Sequence, residues 1–312
     1  MSGPQSPDLS VWLCGIELRN PIIAASGTFG YGVEFADIVS LNSLGAIVTK
    51  GLSIEPMLGN QSPRMIETAA GMLNAIGLQN VGVRAFVEEK LPALRHLTNT
   101  PIITNIFGSS VEDYLAVINV LNDAEGIAAY ELNVSCPNTK HGGMVFGNDP
   151  HLLEEIVART KPAAARPLIV KLSPNVTSIA HMAHVAAEAG AEALSVANTF
   201  IGMAIDSVSR TPRLRNVTGG LSGPAIKPIS LRMVYDAARA VKIPILGIGG
   251  IVAGSDVVEY LLAGATAVQV GTANYADPRA TENILKQLKS WCARNQVSQL
   301  SDLTGKLDTS SS

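Results

Sequence analysis

Eight short apolar runs recur along the chain: Pro21–Ser26, Ala46–Lys50, Ile102–Ile106, Tyr130–Ser135, Leu168–Leu172, Ala193–Asn198, Pro244–Ile248 and Ala267–Gly271. Each is nearly continuous in hydrophobicity rather than alternating, which is the pattern of a strand buried on both faces in a parallel sheet. Between them lie amphipathic stretches at helical spacing: Val81–Leu97, Val111–Asn122, Leu152–Lys161, Ile179–Ala189, Ile226–Val241 and Ser255–Ala263. Ser255-Asp256 is the expected N-cap of the last stretch, and Gly190 and Gly264 stand where a helix ends in a left-handed C-cap. Eight strands, each followed by a helix or a long loop, predict an α/β fold of the closed (β/α)8 TIM-barrel type. The competing doubly wound open sheet finds no support, because no G-x-G-x-x-G opens a helix after a strand and no Walker lysine pattern occurs. Two connections, Gly51–Asn80 and Thr199–Pro224, are too long for ordinary loops. They are expected as insertions at the carboxyl ends of barrel strands, where lids and binding loops sit.

Composition narrows the function classes. With 23 Lys+Arg against 26 Asp+Glu, the formal charge is −3, and no block of like charge gives the footprint of a nucleic-acid binder. The most suggestive uncharged stretch, Tyr260–Ala276, is interrupted by Gly, Thr, Gln and Asn, and reads as helix end, turn and buried strand rather than a membrane span. No basic residue precedes Arg19, so the charged region of a signal peptide is missing. Cys14, Cys136 and Cys292 are too widely spaced for a disulfide framework or a metal site. The expectation is a cytoplasmic protein with reduced thiols. It forms a single domain over 1–312, with flexible tails at about 1–8 and 306–312.

The strand ends carry the chemistry. Runs two to six finish on or near Lys50, Asn105, Asn133, Lys171 and Asn198. A buried strand has no packing reason to end on an amide or ammonium, because each costs desolvation unless paired. Five in succession at one barrel mouth predict a polar site for a planar, anionic, heteroatom-rich ligand. Runs seven and eight end instead in Gly247-Ile248-Gly249-Gly250 and Val270-Gly271-Thr272. In barrels the loops after these two strands commonly bind phosphate. Glu131 lies two residues before Asn133, on the same side of its strand, and if that side is the interior it needs a cation, for which Lys171 is the natural candidate.

Cys136 follows the polar end of run four and opens a glycine-containing loop. Its position leaves two readings open, a small buried hydrophobe or a base or nucleophile. His141 in that loop, His181 and His184 on a helix, and Arg210, Arg213 and Arg215 in the second long connection read as solvated surface.

The motifs NVSCPN at 133–138, NAIGL at 74–78, VKLSPN at 170–175, GGLSGPAIKPI at 219–229, GIGGI at 247–251 and VGTA at 270–273 together resemble the dihydroorotate dehydrogenases. The resemblance runs in family order from Ala25 to Thr272. Cysteine at 136, where membrane-associated members carry serine, resembles the soluble class 1 enzymes. Asn198-Thr199, Gly202–Asp206 and the 219–229 motif are most similar to the catalytic subunit of the NAD-linked subclass 1B, although Phe107 and Phe200 are bulkier than that pattern.

The resemblance implies one FMN per chain, contacted by Ala25, Ser26, Lys50, Gly51, Asn105, Asn133, Lys171, Ala197, Gly223, Gly249, Gly250, Gly271 and Thr272. It implies dihydroorotate bound by Lys50, Asn74, Ala75, Ile76, Gly77, Leu78, Asn133, Asn138, Asn198 and Thr199. Cys136 becomes the general base at C5, with hydride leaving C6 for flavin N5 and Lys171 stabilising the reduced flavin. A homodimer core within a heterotetramer is implied, with FAD and a [2Fe–2S] cluster on a separate electron-transfer subunit, no metal on this chain, and NAD+ as final acceptor. Two other enzyme readings stand beside it: a fumarate-linked class 1A homodimer with the same site, and a Schiff-base TIM-barrel lyase using Lys171. A flavin-binding subunit without turnover is the non-enzymatic alternative.

Overall fold

A computed structural model describes residues 7–135, 137–138 and 144–310. Eight parallel strands close into a barrel: Ile22–Ala24, Ala46–Val48, Ile102–Ile106, Ala129–Asn133, Leu168–Lys171, Ala193–Val196, Ile245–Ile248 and Ala267–Val270. They are called the first to eighth barrel strands below. All eight coincide with the apolar runs, and pairing of Val268 with Ile22 joins the eighth to the first. Their residues are almost entirely buried, as expected for strands covered by helices outside and by packed side chains inside.

A hairpin of Val11–Leu13 and Ile16–Leu18, not anticipated from the sequence, buries Val11, Leu13 and Leu18 against Ala46, Ile103, Ala129, Ile169, Ala193, Leu246 and Ala267. These are residues near the starts of the barrel strands, so the hairpin closes the floor opposite the polar ends. Its turn is made by Cys14 and Gly15, both at positive φ (50° and 80°), which suits the twist of a two-residue hairpin.

The helices follow the amphipathic stretches with local adjustments. Val111–Asn122 starts on a reciprocal cap, Ser110 Oγ accepting from the Asp113 N–H and Asp113 accepting from the Ser110 N–H. The stretch from Val81 is helical only from Val83 and passes through a π turn at Phe86–Lys90 before Leu91–Leu97. Pro92, which lacks an N–H to donate, sits just past that turn. The expected Ser255-Asp256 cap is corrected: the helix runs Gly254–Leu262 with Ala253 at the N-cap, and Asp256 lies inside the first turn. Its carboxylate accepts from the Val252 and Ala253 N–H groups, both at 2.8 Å. A further helix, Ala280–Arg294, follows the eighth strand and buries Ile284, Leu285, Leu288 and Cys292.

The two long connections meet each other. Phe200–Met203, Thr218–Ser222, Gly71–Asn74 and Met65–Thr68 form a four-stranded antiparallel sheet in that order, with Gly220 opposite Asn74. The ends of the described chain are also tied down. The Asp8 N–H donates to Ser298 O at 2.8 Å, and the Gly305 and Leu307 N–H groups donate to the Leu261 and Leu262 carbonyls. Among the described residues no helix is long and apolar enough to cross a membrane, and no cluster of His, Cys, Asp or Glu could hold a metal ion.

Candidate active site

The polar strand ends converge. Lys50, Asn105, Asn133, Lys171 and Asn198 line one cavity of ≈ 390 Å³ at the carboxyl end of the barrel, within the range of about 300–1,000 Å³ typical of ligand pockets. Ala25 and Ser26 contribute from the first strand end, Gly51 from the second and Ala197 from the sixth. The inserted sheet closes one side with Asn74, Ala75, Ile76, Gly77, Leu78 and Thr199.

The glycine turns after strands seven and eight complete the opposite wall. Gly249 and Gly250 hold φ of 132° and 68° and press against the helix that follows Gly223. A Cβ on Gly250 would stand 2.6 Å from Lys227 Cβ, and one on Gly249 would stand 2.3 Å from Ser230 Oγ. Gly223, itself at φ 94°, backs onto Gly71, where an added Cβ would lie 2.6 Å from the Gly71 Cα. Gly271 differs, since a Cβ there would meet nothing closer than Ala25 Cβ at 3.6 Å. It lies beside Thr272 on the cavity wall. Its missing side chain therefore leaves room for a ligand rather than for protein.

Beneath the cavity floor Glu131 is fully buried, and its bonds to residues of the third, sixth and eighth barrel strands place its side of the fourth strand in the barrel interior. Its Oε1 accepts from Asn105 Nδ2 at 2.7 Å, and its Oε2 accepts from Ser195 Oγ at 2.7 Å and from Gln269 Nε2. Lys171 Nζ, the cation expected from the sequence, stands 3.7 Å from Oε1. Asn105 and Lys171 are themselves 1% and 6% exposed, so their charges and dipoles act in a water-poor setting. Gln269 also lines the cavity, and its Oε1 is buried without a hydrogen-bond partner among the described residues. Sequence reasoning missed Gln269 and Ser195; the available signal was a single inward polar residue inside an apolar run.

On the side of the inserted sheet, Asn198 Nδ2 donates to Asn133 Oδ1 at 3.2 Å and to Ser135 Oγ at 3.0 Å. The Thr199 N–H donates to Asn198 Oδ1 at 2.8 Å. Asn60 holds the 74–78 loop, donating from Nδ2 to Ala75 O and from its N–H to Ile76 O, both at 2.9 Å. Burial, reinforced by the nearby Arg64 guanidinium, pulls the Lys50 ammonium below the usual lysine range. The ensemble offers two cations and several oriented amides around a space open to a flat ligand with anionic groups.

Other expectations fall elsewhere. Cys136 and His141 lie outside the described residues, and for Asn138 only the backbone is described, paired with Met144. His181, His184, Arg210, Arg213 and Arg215 are exposed. Cys292 is buried in its helix, and Cys14 donates its S–H to Glu192 O at 3.3 Å.

The family model described as "Dihydroorotate dehydrogenase" matches residues 8–291. A Solibacter usitatus protein named "Putative dihydroorotate dehydrogenase A (fumarate)" is 58% identical over 302 residues, 97% of this chain and 99% of the relative. Two proteins named "Dihydroorotate dehydrogenase B (NAD(+)), catalytic subunit" are each 56% identical. That of Geobacter sulfurreducens aligns over 304 residues, 97% of this chain and 99% of the relative. That of Geobacter metallireducens aligns over 301 residues, 96% and 98% respectively.

Proposed function

The chain belongs to the dihydroorotate dehydrogenase family, and we propose that it is the catalytic subunit that oxidises (S)-dihydroorotate to orotate in pyrimidine biosynthesis. The observation that carries this reading is the convergence of Lys50, Asn105, Asn133, Lys171 and Asn198 with the two glycine turns around one cavity. The lyase reading of Lys171 loses its basis, since that ammonium is paired with Glu131 inside a chain of this family.

The cavity fits FMN. Gly271 leaves space at the wall after strand eight, where a phosphate can approach backbone N–H groups together with Gly223, Gly249, Gly250 and Thr272. Gln269 Oε1 is a buried acceptor awaiting a donor. Lys50, Asn105, Asn133 and Lys171, with Ala25, Ser26, Gly51 and Ala197, line the rest of the cavity and would hold the ring. When bound, FMN supplies the acceptor for the hydride that leaves C6 of dihydroorotate.

The remaining steps belong to the chain's own residues. Lys50 meets the substrate carboxylate, and the amides of Asn74, Asn133, Asn138 and Asn198 pair with the N–H and C=O groups of the pyrimidine ring. Thr199 and the loop from Ala75 to Leu78 cover it and exclude water. Cys136 takes the proton from C5, and Lys171 holds positive charge where negative charge develops.

Electrons pass to NAD+ through a separate subunit carrying FAD and a [2Fe–2S] cluster, in a cytoplasmic heterotetramer built on a homodimer of this chain. The name of the Solibacter relative supports a second reading of the acceptor alone, in which fumarate reoxidises the same site. The test is an anaerobic absorption spectrum of the purified chain, loaded with FMN, before and after dihydroorotate. Bleaching of the flavin band supports the assignment, and a chain that stays colourless after incubation with FMN overturns it. Reoxidation by fumarate without any second subunit would select the other acceptor.

A further inference from the structure

We infer that Glu131 is a positioning residue of the site: it aims three cavity-lining groups and sets the net charge beneath the ring that they face. The inference rests on the flavin reading above. Glu131 does not itself line the cavity but lies one layer below Asn105, Lys171 and Gln269, all of which do. Each of its oxygens nonetheless decides how a lining group presents itself. Oε1 takes the Asn105 amide nitrogen at 2.7 Å, which turns Asn105 Oδ1 away from the barrel interior. Oε2 takes Gln269 Nε2, which leaves Gln269 Oε1 as the free acceptor. Ser195 links the two sides, donating to Oε2 at 2.7 Å and standing 3.0 Å from Gln269 Nε2. An amide flips easily when nothing distinguishes its two ends, and a carboxylate, which only accepts, distinguishes them.

The electrostatic consequence follows from burial. Glu131 is 0% exposed and Lys171 is 6% exposed, with 3.7 Å between Oε1 and Nζ. Neither is screened by salt or bulk water as a surface pair is. Two-electron reduction adds negative charge to a ring above them, which Lys171 favours and Glu131 opposes. Glu131 therefore keeps the cofactor's potential below the value that an uncompensated lysine would impose. That leaves electrons easier to pass on after dihydroorotate has delivered them.

The test is the midpoint potential of bound FMN in the native chain, Glu131→Gln and Glu131→Asp, with FMN dissociation constants for the oxidised and reduced forms. Glu131→Gln is expected to favour reduced over oxidised FMN by at least about tenfold relative to the native chain, a positive shift of about 30 mV for a two-electron couple. Glu131→Asp, which keeps the charge, is expected to stay within about threefold of native. A Glu131→Gln potential equal to or below the native one overturns the inference. Failure of the native chain to bind FMN overturns the flavin reading instead. Should Glu131→Gln not fold, because Lys171 is left as an unpaired buried charge, Lys171→Gln is compared with Lys171→Gln/Glu131→Gln. The double variant must then show the more positive potential, and equal potentials overturn the inference.

Discussion

Asn198 Nδ2 lies 3.2 Å from Asn133 Oδ1, joining the ends of the sixth and fourth barrel strands, which flank the fifth, at the cavity wall. The bond fixes both amides. Asn198 Oδ1 is taken by the Thr199 N–H, and Asn133 Oδ1 is taken by Asn198 and by the Ser135 N–H at 3.2 Å. Asn133 is thereby left presenting its Nδ2 as a donor. Asn133→Ala is expected to lower kcat/KM for dihydroorotate by about 10–10²-fold, the size of a hydrogen bond to a polar or charged partner. Asn133→Asp should lower it further, by about 10²–10³-fold, because it replaces a donor by an anion facing an anionic substrate. Steady-state kinetics of the pair decide the point, and an aspartate variant better than the alanine variant would show that Asn133 is not a donor to substrate.

The barrel was legible because buried parallel strands read as continuous apolar runs, and the site was legible because Lys50, Asn105, Asn133, Lys171 and Asn198 break those runs at the same end. Glu131 could be paired with Lys171 in advance, since the period of a strand puts it on the face of Asn133. Gln269 and Ser195 could not be separated from tolerated polar residues, because what makes them functional is a shared carboxylate on a distant strand. The hairpin at 11–18 was hidden by its three-residue strands, whose stability comes from sealing the barrel floor rather than from local pattern. The cap of the helix at 254–262 was misplaced because Ala253 carries no capping side chain. Asp256 performs that service from within the first turn. The pairing of the two insertions joins Gly220 to Asn74, a contact that no local pattern announces.

Removing the proposed base separates chemistry from binding. Cys136→Ala is expected to retain FMN yet lose about 10²–10⁴-fold in the rate of flavin bleaching by dihydroorotate. Cys136→Ser should recover part of that loss at high pH, where the poorer base is helped by deprotonation. Stopped-flow absorbance under anaerobic conditions reads both, and an unchanged bleaching rate in the alanine variant would remove Cys136 from the proton step.

Thiol reactivity should single out the same residue. Burial, with the Glu192 carboxylate next in effect, pushes the Cys14 thiol up to about 11, and burial also raises Cys292. At pH 8 only about 10⁻³ of Cys14 is thiolate, so it reacts slowly with iodoacetamide. The fast-labelled site, read by peptide mass spectrometry, is expected to be Cys136, with labelling suppressed by orotate. Faster labelling of Cys14 or Cys292 would contradict this.

Gly271 and Gly250 should respond oppositely to the same added methyl. Gly271→Ala places Cβ no closer than 3.6 Å to protein atoms, so thermal stability of the apo chain is expected to stay near native while FMN affinity falls at least about tenfold. Gly250→Ala combines φ of 68° with a 2.9 Å approach to the Lys227 backbone nitrogen, and should lower apo stability by about 1–3 kcal/mol. Differential scanning fluorimetry with and without FMN distinguishes the two. Native FMN affinity in Gly271→Ala would mean that the space beside it is not the cofactor's.

Lys50 gives the site a pH dependence on its alkaline side. Its ammonium is pulled below 10.5, first by burial and then by Arg64. The folded, ligand-free chain therefore releases this proton before the unfolded chain does. Between the folded value and 10.5 the unfolded chain binds more protons, so Lys50's unfavourable contribution to stability is present below the folded value and fades as pH rises through that window. Substrate binding works in the other direction, since an anion beside Lys50 favours the charged form and raises its pKa. KM for dihydroorotate should then rise with pH as Lys50 in the free site deprotonates, at a lower pH than an ordinary lysine would give. Lys50→Arg should lose that limb, because a guanidinium stays charged. Lys50→Gln should show a high KM at every pH. A native alkaline limb that survives unchanged in Lys50→Gln would place the titrating group elsewhere, and the cation for the substrate carboxylate with it.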